Sequence, residues 1–311
     1  MTDVVASAPG KFVILGEHAV VYGKPAITVA IDRRFTVKIR KGPEFMINNE
    51  PADINQNPHL KYISSLHDSV PVSVFMDSRI PPGSGLGSSA ALSAAFSMAM
   101  RTMNGLKTDP ESIARESFDA EYYAQGRGSP MDTSTAVHGH GIALNIPNCG
   151  EKLWTIDKNS NSWDIYGIDI PQMTFVIGYT GIRAPTGPLV EKVRKYKDSN
   201  KFAADVIDEI GDVTLEGMEA IKRNDLVHLG ELMTHDHKLL SILGVSCDEL
   251  NKLVDVTLPY SYGAKLTGSG GGGCMISLTD RPDEVSKAIL SRGGVPIIIS
   301  TKVEGVRASM T

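Results

Sequence analysis

Three segments carry residues whose types and spacing suit phosphate chemistry. In the first, Pro9-Gly10-Lys11 opens an apolar run that ends at Leu15, and Glu17 and His18 follow just after Gly16. Strand alternation sets Lys11 and Glu17 on one side of the chain, a pairing that fits a polar ligand as well as it fits a solvated turn. The second segment, Pro81-Pro82-Gly83-Ser84-Gly85-Leu86-Gly87-Ser88-Ser89-Ala90, runs straight into an Ala-rich stretch. Its glycines permit close backbone approach, and a helix start supplies unpaired N–H groups and the positive end of a macrodipole. That combination makes an anion site, most naturally for phosphate. Its spacing is neither that of a Walker A loop nor that of a dinucleotide fingerprint. The third segment, Lys265 to Cys274, holds five glycines at Gly268, Gly270, Gly271, Gly272 and Gly273. Ordering so many costs more backbone entropy than a hairpin requires, which points to a loop wrapped against a ligand or against the first glycine loop.

The surrounding elements must position these segments. Residues 4–40 alternate β-rich runs with breaks at Pro9-Gly10 and Gly23-Lys24-Pro25 and read as consecutive strands; VPVSVFMDSRI, residues 70–80, reads as another. Ser88 to about Asn104 lacks Gly and Pro and predicts a helix, and Asp109-Pro110 starts a second one that runs to about Gln125. The stretch GRGSPMDTSTA, residues 126–136, reads as a loop, HGHGIALNI as a strand, and residues 147–170 as polar and irregular. Beyond the strand QMTFVIGYTG, the pattern is helical from Thr186 to about Pro259, broken near Ser199, Asn224 and Gly244; strand, glycine loop, strand, helix and strand close the chain. Strand-rich and helix-rich stretches are partly segregated, so the class is α+β, with a domain boundary placed between residues 165 and 166.

Bulk properties narrow the function. The chain has 311 residues, enough to bury a large core, and a formal net charge of −5 that argues against a nucleic-acid partner. Its three cysteines, Cys149, Cys247 and Cys274, are widely spaced and encode neither a disulfide framework nor a zinc knuckle, which fits a reducing cytoplasm. No apolar run is long enough to span a membrane, and the expectation is a soluble protein without a membrane partner. His228, Glu231 and His235 share a helical face but read as solvated, and His138 and His140, set on one strand face, read as packing residues.

The three segments, in this order, resemble the three motifs of the galactokinase, homoserine kinase, mevalonate kinase and phosphomevalonate kinase (GHMP) superfamily. Within it, PGKFVILGEHAVVYG is similar to the mevalonate kinase branch. The resemblance implies a two-domain fold with the active site in the cleft between a mixed N-terminal sheet, residues 1–165, and a C-terminal α/β unit, residues 166–311. It implies ATP-dependent phosphorylation of mevalonate, a step of isoprenoid synthesis, with ATP and mevalonate as small-molecule partners, Mg²⁺ as cofactor and a homodimeric state. Pro82 to Ala90 would be the phosphate loop, with Ser89 and Glu121 as magnesium ligands. Asp132 would be the base toward the acceptor hydroxyl and Lys11 its cationic neighbour. Glu17, His18 and Thr180, with Arg183 nearby, would line the acceptor pocket, and Gly268, Ser269, Gly270 and Gly271 would form the third motif. The chain departs from the family pattern at Ala184-Pro185, where a Thr-Lys pair is usual. Two alternatives stay open: a phosphomevalonate kinase, which would show a basic acceptor pocket, and a silent nucleotide sensor, which the presence of Lys11, Glu121 and Asp132 disfavours.

Overall fold

Strand β1, Val4–Leu15, lies antiparallel along the full length of β2, Ala26–Lys41. The computed structural model describes residues 3–67, 71–183, 186–299 and 301–310. Four expected β-runs are thus two long strands. Pro9-Gly10 does not break β1; the register shifts there, and Asp32 and Arg33 are the extra residues opposite. Short strands β3, Met46–Ile47, and β4, Glu50–Pro51, precede helix α1, Pro58–Ser65, and strand β5, Val72–Ser78. Helices α2, Ser88–Met103, α3, Pro110–Gln125, and α4, Met131–His138, then lead to strands β6, Gly141–Leu144, β7, Glu151–Lys158, and β8, Asn161–Ile168. The remaining elements are β9, Phe175–Tyr179; α5, Thr186–Ser199; α6, Lys201–Lys222; α7, Leu226–Ile242; α8, Asp248–Thr257; β10, Gly263–Thr267; β11, Cys274–Leu278; α9, Pro282–Ser291; β12, Val295–Ile299; and β13, Arg307–Met310.

Two sheets result. The larger is mixed, ordered β4-β3-β5-β2-β6-β8-β7, with β1 on the other edge of β2 and β13 paired to β1. The smaller, β10-β11-β9-β12, is antiparallel and carries α8 and α9. Helix α2 packs on β1 and β2 because its inward face is mostly alanine: Ala91, Ala94, Ala95 and Ala99 are fully buried and let the backbones approach closely.

Two expectations need correction. Residues 131–138 are a helix rather than a loop, and with them His138 leaves the expected strand. The Thr/Ser composition misled because these hydroxyls bond within the turn: Thr135 Oγ1 donates to the Met131 carbonyl at 2.7 Å and Thr133 Oγ1 to that of Pro130 at 3.2 Å. Residues 151–168 are the β7–β8 hairpin rather than irregular chain, with Trp154, Ile156, Trp163 and Ile165 buried on its inner face.

The sheets are tied where the first and third motifs meet. The Val13 N–H donates to Thr267 Oγ1 at 2.8 Å, and that hydroxyl lies 3.3 Å from the Val13 carbonyl, both buried. Thr267→Val keeps the volume and orphans a buried N–H, so urea unfolding is expected to show a loss of about 1–3 kcal/mol. An unchanged midpoint would show that this link contributes nothing.

Candidate active site

Helix α2 begins without a side-chain cap. Gly87 occupies the cap position in the left-handed region, at φ 72°, whereas Asp109, Asn200 and Asp225 each cap the helix that follows them. The N–H groups of Ser88, Ser89 and Ala90 have no intrahelical acceptor, by the geometry of any α-helix. They are the donors an anion would use.

The two glycine loops lie against each other, one of the two arrangements expected for the third segment. A Cβ on Gly268 would sit 2.9 Å from the Gly85 carbonyl oxygen, and one on Gly85 would sit 3.1 Å from that of Thr267. Lys11 passes beneath the first loop: its backbone N–H donates to Leu86 O at 3.0 Å, and its Nζ donates to Gly85 O at 3.0 Å. A Cβ on Gly87 would meet Lys11 Cγ at 3.0 Å, so this glycine is what gives the lysine its path.

Lys11 Nζ ends 3.2 Å from Asp132 Oδ1. Asp132 stands in the first turn of α4, where the helix dipole favours an anion. That helix is anchored by Thr135 on Thr28, 2.5 Å between hydroxyls, and by Ser134, which accepts from Trp154 Nε1 at 3.2 Å. Lys11 is nearly inaccessible, whereas the Asp132 side chain keeps 37% of its surface open. The surrounding walls raise its carboxyl above the usual range, and Lys11 opposes that rise.

On the far side of the phosphate loop, Ser89 Oγ donates to Glu121 Oε2 at 3.0 Å, and Ser93 Oγ donates to Oε1 at 3.2 Å. Gln125 donates to Glu121 at 2.8 Å, and His59 Nε2 lies 3.1 Å away. The Glu17-His18 corner closes the other end. His18 takes a positive φ of 60°, and its Nε2 is 3.0 Å from the Ser269 carbonyl. Burial pushes its pKa down to about 4, so the ring is neutral at physiological pH.

These groups surround one cleft of about 430 Å³. Lys11, Glu17, His18, Glu121 and Asp132 line it, with Pro82 to Ser89 and with Gly268 and Ser269. Ala90, Gly270 and Gly271 stand behind the lining. Thr180 does not line the cleft; its hydroxyl donates to Gly273 O at 2.8 Å and accepts from Ile182 N–H at 3.2 Å. Arg183 is exposed and packs on Gly83, while Ala184 and Pro185 lie outside the described residues. Residues outside the three motifs also join the site: His59, Ser93, Gln125 and Arg127 around the cleft, and Asp236 behind Glu17. Ser93 and Gln125 could have been found at four residues from Ser89 and Glu121; the other three have no sequence signal.

The GHMP kinases N terminal domain model matches residues 58–140, and the GHMP kinases C terminal model matches residues 218–292. The chain is 33% identical to the mevalonate kinase of Thermococcus sibiricus, over 98% of each chain. The chain belongs to the mevalonate kinase family. Among solved structures it is similar to the L. major mevalonate kinase in complex with R-mevalonate, at a TM-score of 0.80 and 25% identity over 96% of each chain. It is likewise similar to the Methanococcus jannaschii mevalonate kinase, at a TM-score of 0.77 and 26% identity over 96% of this chain and 98% of that one. The uncapped start of α2 and the Lys11–Asp132 pair face a single cleft here. His228 and His235, by contrast, pair with exposed Glu216 and Glu209, and no group of three or more metal-binding side chains occurs among the described residues.

Proposed function

We propose that this chain transfers the γ-phosphoryl group of ATP to mevalonate, giving 5-phosphomevalonate for isoprenoid synthesis. The observation that carries this reading is the Asp132–Lys11 pair, which faces a cleft with an uncapped helix start at one wall and the Glu17-His18 corner at another. The loop N–H groups hold the nucleotide phosphates. Asp132 orients the acceptor hydroxyl and takes its proton as the new O–P bond forms and the bond to the leaving ADP oxygen breaks. Lys11 keeps Asp132 ionised and offsets charge on the transferring group.

The donor set at Ser89 and Glu121 suits magnesium: one hydroxyl and one carboxylate, 3.0 Å apart, are hard oxygens that leave positions for phosphate and water. Bound there, the ion supplies charge neutralisation on the phosphates. Glu17, His18, Thr180 and Arg183 are assigned to the acceptor side; for Thr180 the role is indirect, through the loop it staples to the third motif.

The lysine and the arginine that line the cleft are both already paired with carboxylates, which does not favour a phosphorylated acceptor. Lys11 is matched to Asp132, and Arg127 is paired with Glu191. A coupled assay with mevalonate, phosphomevalonate, galactose and homoserine is expected to release ADP with mevalonate alone, and to depend on magnesium. Turnover with another acceptor and none with mevalonate would sink the reading. We further assign two domains and a cytoplasmic homodimer as the working form; the expected boundary between residues 165 and 166 falls inside β8, Asn161–Ile168, and β13 pairs with β1, so the N-terminal domain runs on through Ile168 and takes in β13 as well. The three cysteines being free thiols and no described helix being long and apolar enough to cross a membrane agree with that location.

A further inference from the structure

Behind the cleft wall, Lys265 of β10 reaches back to the turn after β1. Its ammonium donates to Glu17 Oε1 and lies 3.3 Å from Asp236 Oδ2 of α7. All three side chains are fully buried. One cation therefore faces two acids in a volume that water does not reach. If both acids were ionised, Glu17 Oε2 and both oxygens of Asp236 would have no hydrogen-bond donor among the described residues. A single retained proton satisfies two of these three oxygens, one carrying it and one accepting it, and brings the triad to zero net charge.

We propose that Lys265 and Asp236 are positioning residues of the acceptor site, acting through Glu17 as a buried triad that keeps one proton between its two carboxyl groups. The triad joins the two sheets at the corner from which Glu17 and His18 line the cleft. Burial raises both acids and Lys265 pulls both down; the Asp236 charge raises Glu17 further, whereas a hydrogen bond from Glu17 lowers Asp236. The other titratable groups around it are His18 beside Glu17 and His235 and His237 beside Asp236. His18 and His237 are neutral, each with a pKa pushed down to about 4 by burial. His237 is also fixed in tautomer, accepting from Leu266 N–H at Nδ1 and donating to Asn251 at Nε2. His235 is exposed and engaged with Glu209. Taking the triad's proton at Nδ1 would cost His237 its bond from Leu266 N–H. A neutral triad also suits an anionic hydroxy acid in the neighbouring cleft, because a net buried negative charge would repel it.

Two measurements test this, and the kinetic one rests on the acceptor reading given above. Infrared difference spectra of the whole protein without substrate, wild type against Glu17→Gln and against Asp236→Asn, are expected to show a protonated-carboxyl band at neutral pH that each variant loses. No such band would overturn the proposal, whatever acceptor the enzyme uses. In steady-state assays, Asp236→Asn is expected to raise KM for mevalonate by about tenfold to a hundredfold and to leave KM for ATP within about twofold. A merely structural role would lower the melting temperature and move neither constant, and that result would also overturn it. Lys265→Met, which leaves both acids protonated, is expected to raise KM for mevalonate likewise, with ADP affinity unchanged as the check on folding. Failure of the wild type on mevalonate counts against the proposed function, and the infrared arm still decides the triad.

Discussion

Asp132→Asn is expected to lower kcat by about 10²- to 10⁴-fold while KM for ATP changes little. The substitution keeps the shape of the first turn of α4 and removes the cleft-lining carboxylate proposed as the base. The loss stops well short of the whole rate enhancement, because phosphoryl transfer with a loose transition state relies more on alignment and charge than on proton removal. The pH profile supplies an independent check. The reactive form is the carboxylate, and burial raises the Asp132 pKa, so activity falls as the pH drops through that raised value. The acid limb of kcat/KM is therefore displaced above the ordinary carboxylate range and should be absent from the residual activity of Asp132→Asn. An Asp132→Asn enzyme with near-normal turnover and an unchanged acid limb would remove Asp132 from the base role.

The site was more legible than the fold around it. Phosphate chemistry writes itself into short, contiguous strings, since a loop that must lie against anions and against another loop tolerates few residues besides glycine. Gly85 and Gly268, whose backbones nearly touch, are the visible mark of that constraint. Helices α2 and α3 were equally plain, having good helix formers inside and the Asp109 cap before Pro110. The β7–β8 hairpin was not, because its outward face is polar and its inward alternation is easily lost among Asn, Asp and Ser. Helix α4 has the composition of a loop, but its Thr133 and Thr135 hydroxyls satisfy themselves on local carbonyls, a feature of the folded turn that composition does not record. The triad was the least accessible. Lys265 stands in a recognisable motif, but Asp236 is one of two acids on its helix, the other being the exposed Glu231, and burial alone sets it apart.

Lys11→Met carries the second large effect. Removing the ammonium takes away both the charge 3.2 Å from Asp132 and the donor that holds Gly85 O at 3.0 Å, so the base and the phosphate loop lose their common support. A drop in kcat of about 10²- to 10³-fold is expected, the scale of losing one preorganised group at developing charge. Because Lys11 opposes the rise in the Asp132 pKa, its removal is expected to shift the acid limb of the residual activity further upward. Stability should change little, since the partner carboxylate opens onto the cleft and can be hydrated, so a melting temperature close to wild type separates the catalytic effect from a folding defect. Lys11→Arg should not restore the rate. The space beneath the loop is set by Gly87, where even a Cβ would come within 3.0 Å of Lys11 Cγ, and a planar guanidinium on a longer stem cannot keep both contacts there. Full activity in the arginine variant would show that charge alone, without the fit to Gly85 and Gly87, is what the site requires.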